Sequence, residues 1–133
     1  MKKLIYILLL SLLILTTSCL PNKAETVKDK MKKDGYTVEI YTKDKFNLDM
    51  MEKDFGYTNL NTVINVFKFT EERINEYVNI LIFDNKESAK AAYNKINEQK
   101  NNGEIKDQTL EEIKIKGTWV YYGTKSTIKK LEK

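Results

Sequence analysis

The sequence predicts an α+β domain: an antiparallel sheet built in the order β-α-β-β-α-β, the ferredoxin-like arrangement, with a short helix at each end. Three observations carry this expectation. Stretches with apolar residues at period two alternate with stretches at the helical period. Glycines 35, 56 and 103 stand where the helical stretches stop. A chain of 133 residues with one cysteine and no histidine has neither a disulfide nor a zinc cluster to organise a different scaffold.

The elements follow in order. In "LPNKAETVKDKMKKDG", Ala24, Val27 and Met31 recur at i, i+3 and i+7, which predicts a short amphipathic helix capped by Gly35. The competing reading of this stretch is a lysine-rich linker. "YTVEIYT" places Tyr36, Val38 and Ile40 on one face of a strand. Asn47 is a candidate N-cap for a helix with Leu48, Met51 and Phe55 on its buried stripe and Gly56 as its stop. "TVINVFKFT" is β-branched and aromatic, a second strand. "EYVNILIFD" is apolar at almost every position, as expected of a central strand covered on both faces. Asp84 and Glu87 resemble a capping box opening a long helix, whose stripe is Ala89, Ala92, Tyr93 and Ile96. "EIKIKGTWVYYG" puts Ile113, Ile115, Trp119 and Tyr121 in one phase, with Gly117 either bending one strand or turning a hairpin. Thr124 is a candidate cap for a terminal helix.

If Val78, Ile80 and Ile82 face the two internal helices, then Asn79 faces the other way; so do Tyr77, Leu81 and Phe83, joined by Tyr41 and Tyr122 in an apolar and aromatic set of five. A surface that apolar needs a cover. Either the terminal helices, 24–33 and 125–131, fold across it, or these five residues form an interaction face for a partner or ligand.

Composition narrows the chemistry. Without histidine there is no imidazole for acid–base work or for serine and cysteine triads. Arg73 is the sole arginine, a poor basis for bidentate phosphate recognition, and no nucleic-acid partner is expected. "GTKS", Gly123 to Ser126, has Thr124 where a phosphate loop needs its lysine. "STIK" sets Ser126 three residues before Lys129, the spacing of a serine nucleophile with a lysine base, but lacks the partner motifs of that class. Glu71–Glu72 and Glu111–Glu112 are neighbours whose side chains diverge. Residues 44–54 lack the spacing of a calcium loop. No metal site and no cofactor is expected. Trp119, Tyr121 and Tyr122 are expected to be core rings, or a platform for sugar if two are exposed together.

The first residues carry the clearest signal. "MKK" is positive, Leu4 to Leu15 is an apolar run of 12, and "TTS" precedes Cys19. This is the layout of a secretory signal, and the run is short for a membrane span of about 20 residues. Three readings of it compete. Two are an uncleaved anchor helix running to about Leu20 and ordinary secretion that leaves Cys19 a free thiol. The third is carried by the residues before Cys19. "TTSC" resembles the lipobox of bacterial lipoproteins, with small Thr17 and Ser18 before the cysteine and Thr16 where that class usually has an aliphatic residue. The resemblance covers only the leader and Cys19. It implies cleavage between Ser18 and Cys19, a diacylglyceryl group on the Cys19 thiol, and a membrane-anchored, extracytoplasmic protein. It implies residues 1–18 as signal peptide, 19–35 as lipidated tether and short helix, and 36–133 as the domain. Without Lys2 and Lys3 the chain keeps 21 basic and 19 acidic side chains, a charge of +2 that asks for no polyanion. The expected function is a lipid-anchored binding or interaction domain, its partner a protein or cell-wall polymer. The alternatives are a small envelope hydrolase using Ser126 and Lys129 or carboxylates, and an inhibitor or immunity-type lipoprotein.

Overall fold

The structure, a computed structural model, describes residues 23–71, 73–107 and 109–133; the leader, Ser18 and Cys19 lie outside the described residues. The elements are α1 (Ala24–Lys33), β1 (Thr37–Thr42), α2 (Asp49–Phe55), β2 (Leu60–Thr70), β3 (Arg73–Phe83), α3 (Lys86–Asn101), β4 (Glu112–Lys116), β5 (Trp119–Gly123) and α4 (Lys125–Glu132). The five strands form one sheet in the order β1-β2-β3-β5-β4. Every neighbouring pair is antiparallel.

The class is therefore α+β with an antiparallel sheet, but the order differs from the ferredoxin-like expectation. That arrangement runs the first two strands parallel with the third or another strand between them, whereas β1 pairs directly and antiparallel with β2 at the sheet edge. Helix length accounts for the difference. A parallel crossover must carry the chain back along the strand, and the seven residues of α2 reach only about 10 Å. The 16 residues of α3 do span that distance. They link β3 to β4, which run parallel with β5 between them, so one split β-α-β unit is present.

Gly117 turns a hairpin. Lys116 pairs with Trp119, and Gly117 takes φ 59° at the first turn position, as a II′ turn requires. The reversal changes which residues share a face. Trp119 and Tyr121 join the core beneath α1 and α4, while Ile113 packs on the opposite side and Ile115 is exposed.

Helices cover both faces, making three layers. Val27 and Met31 of α1, with Ile128 and Leu131 of α4, pack on Val38, Ile64, Val66, Val78 and Ile80. Burial of each such side chain stabilises by about 1.5–3 kcal/mol. The terminal helices are thus a cover, and residues 24–33 are a helix rather than a linker. On the other face, Leu48 beside α2 and Ala89, Ala92 and Ile96 of α3 pack on Val63, Leu81, Phe83 and Val120. The strand phase is the reverse of the expected one: Val78 and Ile80 face the terminal helices, and Leu81 and Phe83 the internal pair.

Local signals shift by small steps. The α3 cap is Asn85, not Asp84, and its side chain accepts from the Ser88 amide at 2.8 Å. Asn47 accepts from the Asp49 amide at 3.0 Å one place ahead of the cap residue Leu48. Phe55 lies off the buried stripe, half exposed and stacked on Tyr57.

Candidate binding groove

The internal helices leave part of their sheet face open. Helix α3 covers β3, β5 and β4, and α2 lies at the end of the sheet that carries Leu60, whose amide donates to Glu52 Oε1 at 2.9 Å. Beyond them, over the first half of β3, lies a groove of about 540 Å³. Its floor is Asn65, Phe67, Tyr77 and Asn79, with Ile74 toward the β2–β3 turn. The loop after α3 supplies Asp107 and Thr109 as a wall. A second hollow of about 210 Å³ adjoins it under α3 and shares Tyr77, Asn79 and Asp107.

Strand register builds the floor as two rows. Asn65 is opposite Asn79, Glu39 is opposite Asn65, and Tyr122 is opposite Asn79, so a polar row crosses four strands. One step along, Phe67 is opposite Tyr77. A register shift between Lys68 and Phe69 then sets Phe69 opposite Ile74, which extends the apolar strip toward the hairpin turn. Phe69 is 59% and Ile74 47% exposed. Phe67 and Phe69 meet edge to face at 5.2 Å.

The wall is fixed by its own hydrogen bonds. The Tyr77 hydroxyl donates to Asp107 Oδ2 at 2.6 Å. The Thr109 amide and hydroxyl donate to Asp107 Oδ1 at 2.9 and 2.6 Å. The Glu111 amide continues from the loop to the Gly123 carbonyl at 3.0 Å. Burial raises the Tyr77 phenol far above its ordinary range, and the bond to Asp107 adds to this. Burial pushes Asp107 up, but the bonds from Thr109 and Tyr77 outweigh it and hold the carboxyl below its usual value. At neutral pH the groove therefore offers a protonated phenol and a carboxylate whose oxygens are already engaged. That set is suited to hydrogen bonding and ring contact. Among the described residues lining the groove and its hollow Asp107 is the sole formal charge and no lysine contributes; Glu39, at the β1 end of the polar row, lies outside that lining and accepts the Tyr41 hydroxyl at 2.8 Å.

Of the five residues expected on an interaction face, the structure brings Tyr77 to the groove and Tyr122 to its inner hollow. Leu81 and Phe83 are 1% and 2% exposed beneath α3. Tyr41 is half-buried, donates to Glu39 at 2.8 Å and meets Phe46 edge to face at 5.0 Å. Trp119 and Tyr121 are core, so they make no exposed platform. Ser126 is exposed and donates to Glu76 Oε1 at 3.2 Å rather than meeting Lys129. Glu111 Oε2 accepts the Lys125 amide and Glu112 lies 3.9 Å from Lys114, while Glu71 takes φ 52° in the β2–β3 turn and Glu72 lies outside the described residues. Among the described residues, no three acidic or other metal-ligating side chains come together as a metal site. None of their helices is long and apolar enough to cross a membrane.

Sequence reasoning passed over Asn65 and Asp107. Asn65 had a usable signal: "INV" and "VNI" each put an asparagine inside an otherwise apolar strand. Asp107 sits in a loop without periodicity, and nothing in its neighbours marks it. No family model, curated protein or solved structure matches this chain.

Proposed function

We propose that this chain is an extracytoplasmic binding protein, held to a membrane by a diacylglyceryl group on Cys19, that binds its partner in the Asn65–Asn79 groove and catalyses no reaction. One observation carries the binding role. The floor places two carboxamides side by side in an open concavity, at positions where the neighbouring residues of both strands are apolar. Polar groups converging in a concave, partly apolar site are the usual mark of ligand recognition. The "TTSC" end of the leader supports the anchor, because a thioether to lipid uses the lone thiol and two acyl chains hold firmly where one would not.

Two variants test the two halves. Cys19→Ser leaves the precursor uncleaved and without incorporated fatty acid; normal processing in that variant rules out the anchor. Asn79→Lys places a long cation in the groove and abolishes retention of solubilised cell-envelope material by the immobilised protein. Undiminished retention by a folded Asn79→Lys protein rules out the groove as the binding surface.

A further inference from the structure

We propose that the groove takes an uncharged oligosaccharide, with Asn65 and Asn79 hydrogen-bonding its hydroxyl or acetamido groups and the rings of Phe67 and Tyr77 lying against its C–H surface. The inference rests on the binding role given to the groove above and names the ligand class.

The donor and acceptor set is the first argument. Each carboxamide carries two N–H donors and a carbonyl acceptor, and a hydroxyl is both donor and acceptor. Two such groups opposite each other across β2 and β3 offer a mixed array that matches a run of sugar hydroxyls. The ring row next to them matches the other property of a saccharide, its C–H face. Tyr77 is held by Asp107 and Phe67 is braced by Phe69, so the platform exists before the ligand arrives and binding orders little.

Charge is the second argument. A phosphorylated or acidic ligand would meet Asp107 and, among the described lining residues, no cation. A cationic ligand would have to share Asp107 with the three donors from Tyr77 and Thr109 already on its oxygens. The carboxamides of the floor, Asn65 and Asn79, are neutral.

Strand position is the third. An extended peptide binds most readily by adding to a sheet edge through its main chain. β2 and β3 are interior strands, paired on both sides at Asn65 and Asn79, so they offer a peptide no free backbone groups. Recognition here must come from side chains.

The test titrates the full-length, nitrogen-15-labelled chain in detergent micelles with tetrasaccharides of glucose and of N-acetylglucosamine, with glucose 6-phosphate and with tetra-alanine. We expect one of the neutral tetrasaccharides to shift the side-chain amide signals of Asn65 and Asn79. Asn79→Ala and Asn65→Ser, each checked for an unchanged unfolding transition, should weaken that saccharide at least tenfold. If neither tetrasaccharide shifts these signals, the oligosaccharide class is overturned. If tetra-alanine or glucose 6-phosphate shifts them instead, that class falls while the groove stands as a binding surface. The separate retention assay with Asn79→Lys decides the binding role itself.

Discussion

Gly123 ends β5 between two strands, opposite Val78 on one side and Glu112 on the other. A Cβ at this position would collide with the Tyr77 carbonyl oxygen, which accepts the Thr124 amide at 2.9 Å. Gly123→Ala must therefore push β5 away from β3 or tilt the Tyr77 peptide. We expect a loss of about 1–3 kcal/mol, as for other overpacked sites, measured as a lowered midpoint in urea with an unchanged slope; an unchanged midpoint would mean that the strands separate freely here. The same residue shows what a single sequence conceals. The stop glycines at 35, 56 and 103 were legible because each follows a helical stretch, and all three take positive φ. Gly123 follows a strand, and its reason is a carbonyl from a segment 46 residues earlier in the chain. Asn65 and Asn79 lie between these cases. Each breaks an apolar strand visibly, but only the register shows that they face each other.

Helix α4 is short, and its last turn is tied to the sheet by one carboxylate. Glu132 accepts from Lys114 Nζ at 2.7 Å and from the Tyr121 hydroxyl at 2.8 Å. Burial alone would raise the Glu132 carboxyl, but these two bonds outweigh it and hold the group below its usual value. A carboxyl held low in the folded state contributes fully above its unfolded pKa, about 4.3. It gives that contribution up as pH falls through the lower folded value. Glu132→Gln should cost about 1 kcal/mol at pH 7, the upper range for a partly exposed pair. The gap between variant and native protein should close below about pH 4, which urea unfolding at pH 7 and pH 3 measures. A gap of equal size at both values would show that the charge is not what holds α4. Elements of this kind were largely legible, since helix stripes and strand alternation survive in the chain. The exceptions have physical causes. Gly117 permits both a bend and a turn, and the phase of β3 was ambiguous because it is apolar on both faces.

The strand order was the least legible feature, because it depends on which edges meet after the helices dock, and it decides how the molecule would sit on a membrane. Helix α1 runs antiparallel to β1, joined through a turn in which the Tyr36 amide donates to the Met31 carbonyl at 3.1 Å. Lys23 therefore emerges at the end of the sheet that carries Thr42 and the loop after it. Thr37, Phe67 and Tyr77 stand in register at the other end. The six residues of β1 separate the two ends by about 20 Å. If Cys19 is anchored, the four residue steps from Cys19 to Lys23 reach at most about 14 Å. Such a tether holds the Thr42 end toward the bilayer and presents the groove away from it, where a ligand from outside the membrane can enter. A dye on Asp44→Cys and a dye on Glu71→Cys, each in the lipidated chain on vesicles with a quencher in the headgroups, measure this orientation. The Asp44 position, next to the Thr42 end, should be quenched more strongly than Glu71 at the turn between β2 and β3. Equal or reversed quenching would turn the groove toward the lipid and remove the geometric basis for outward presentation.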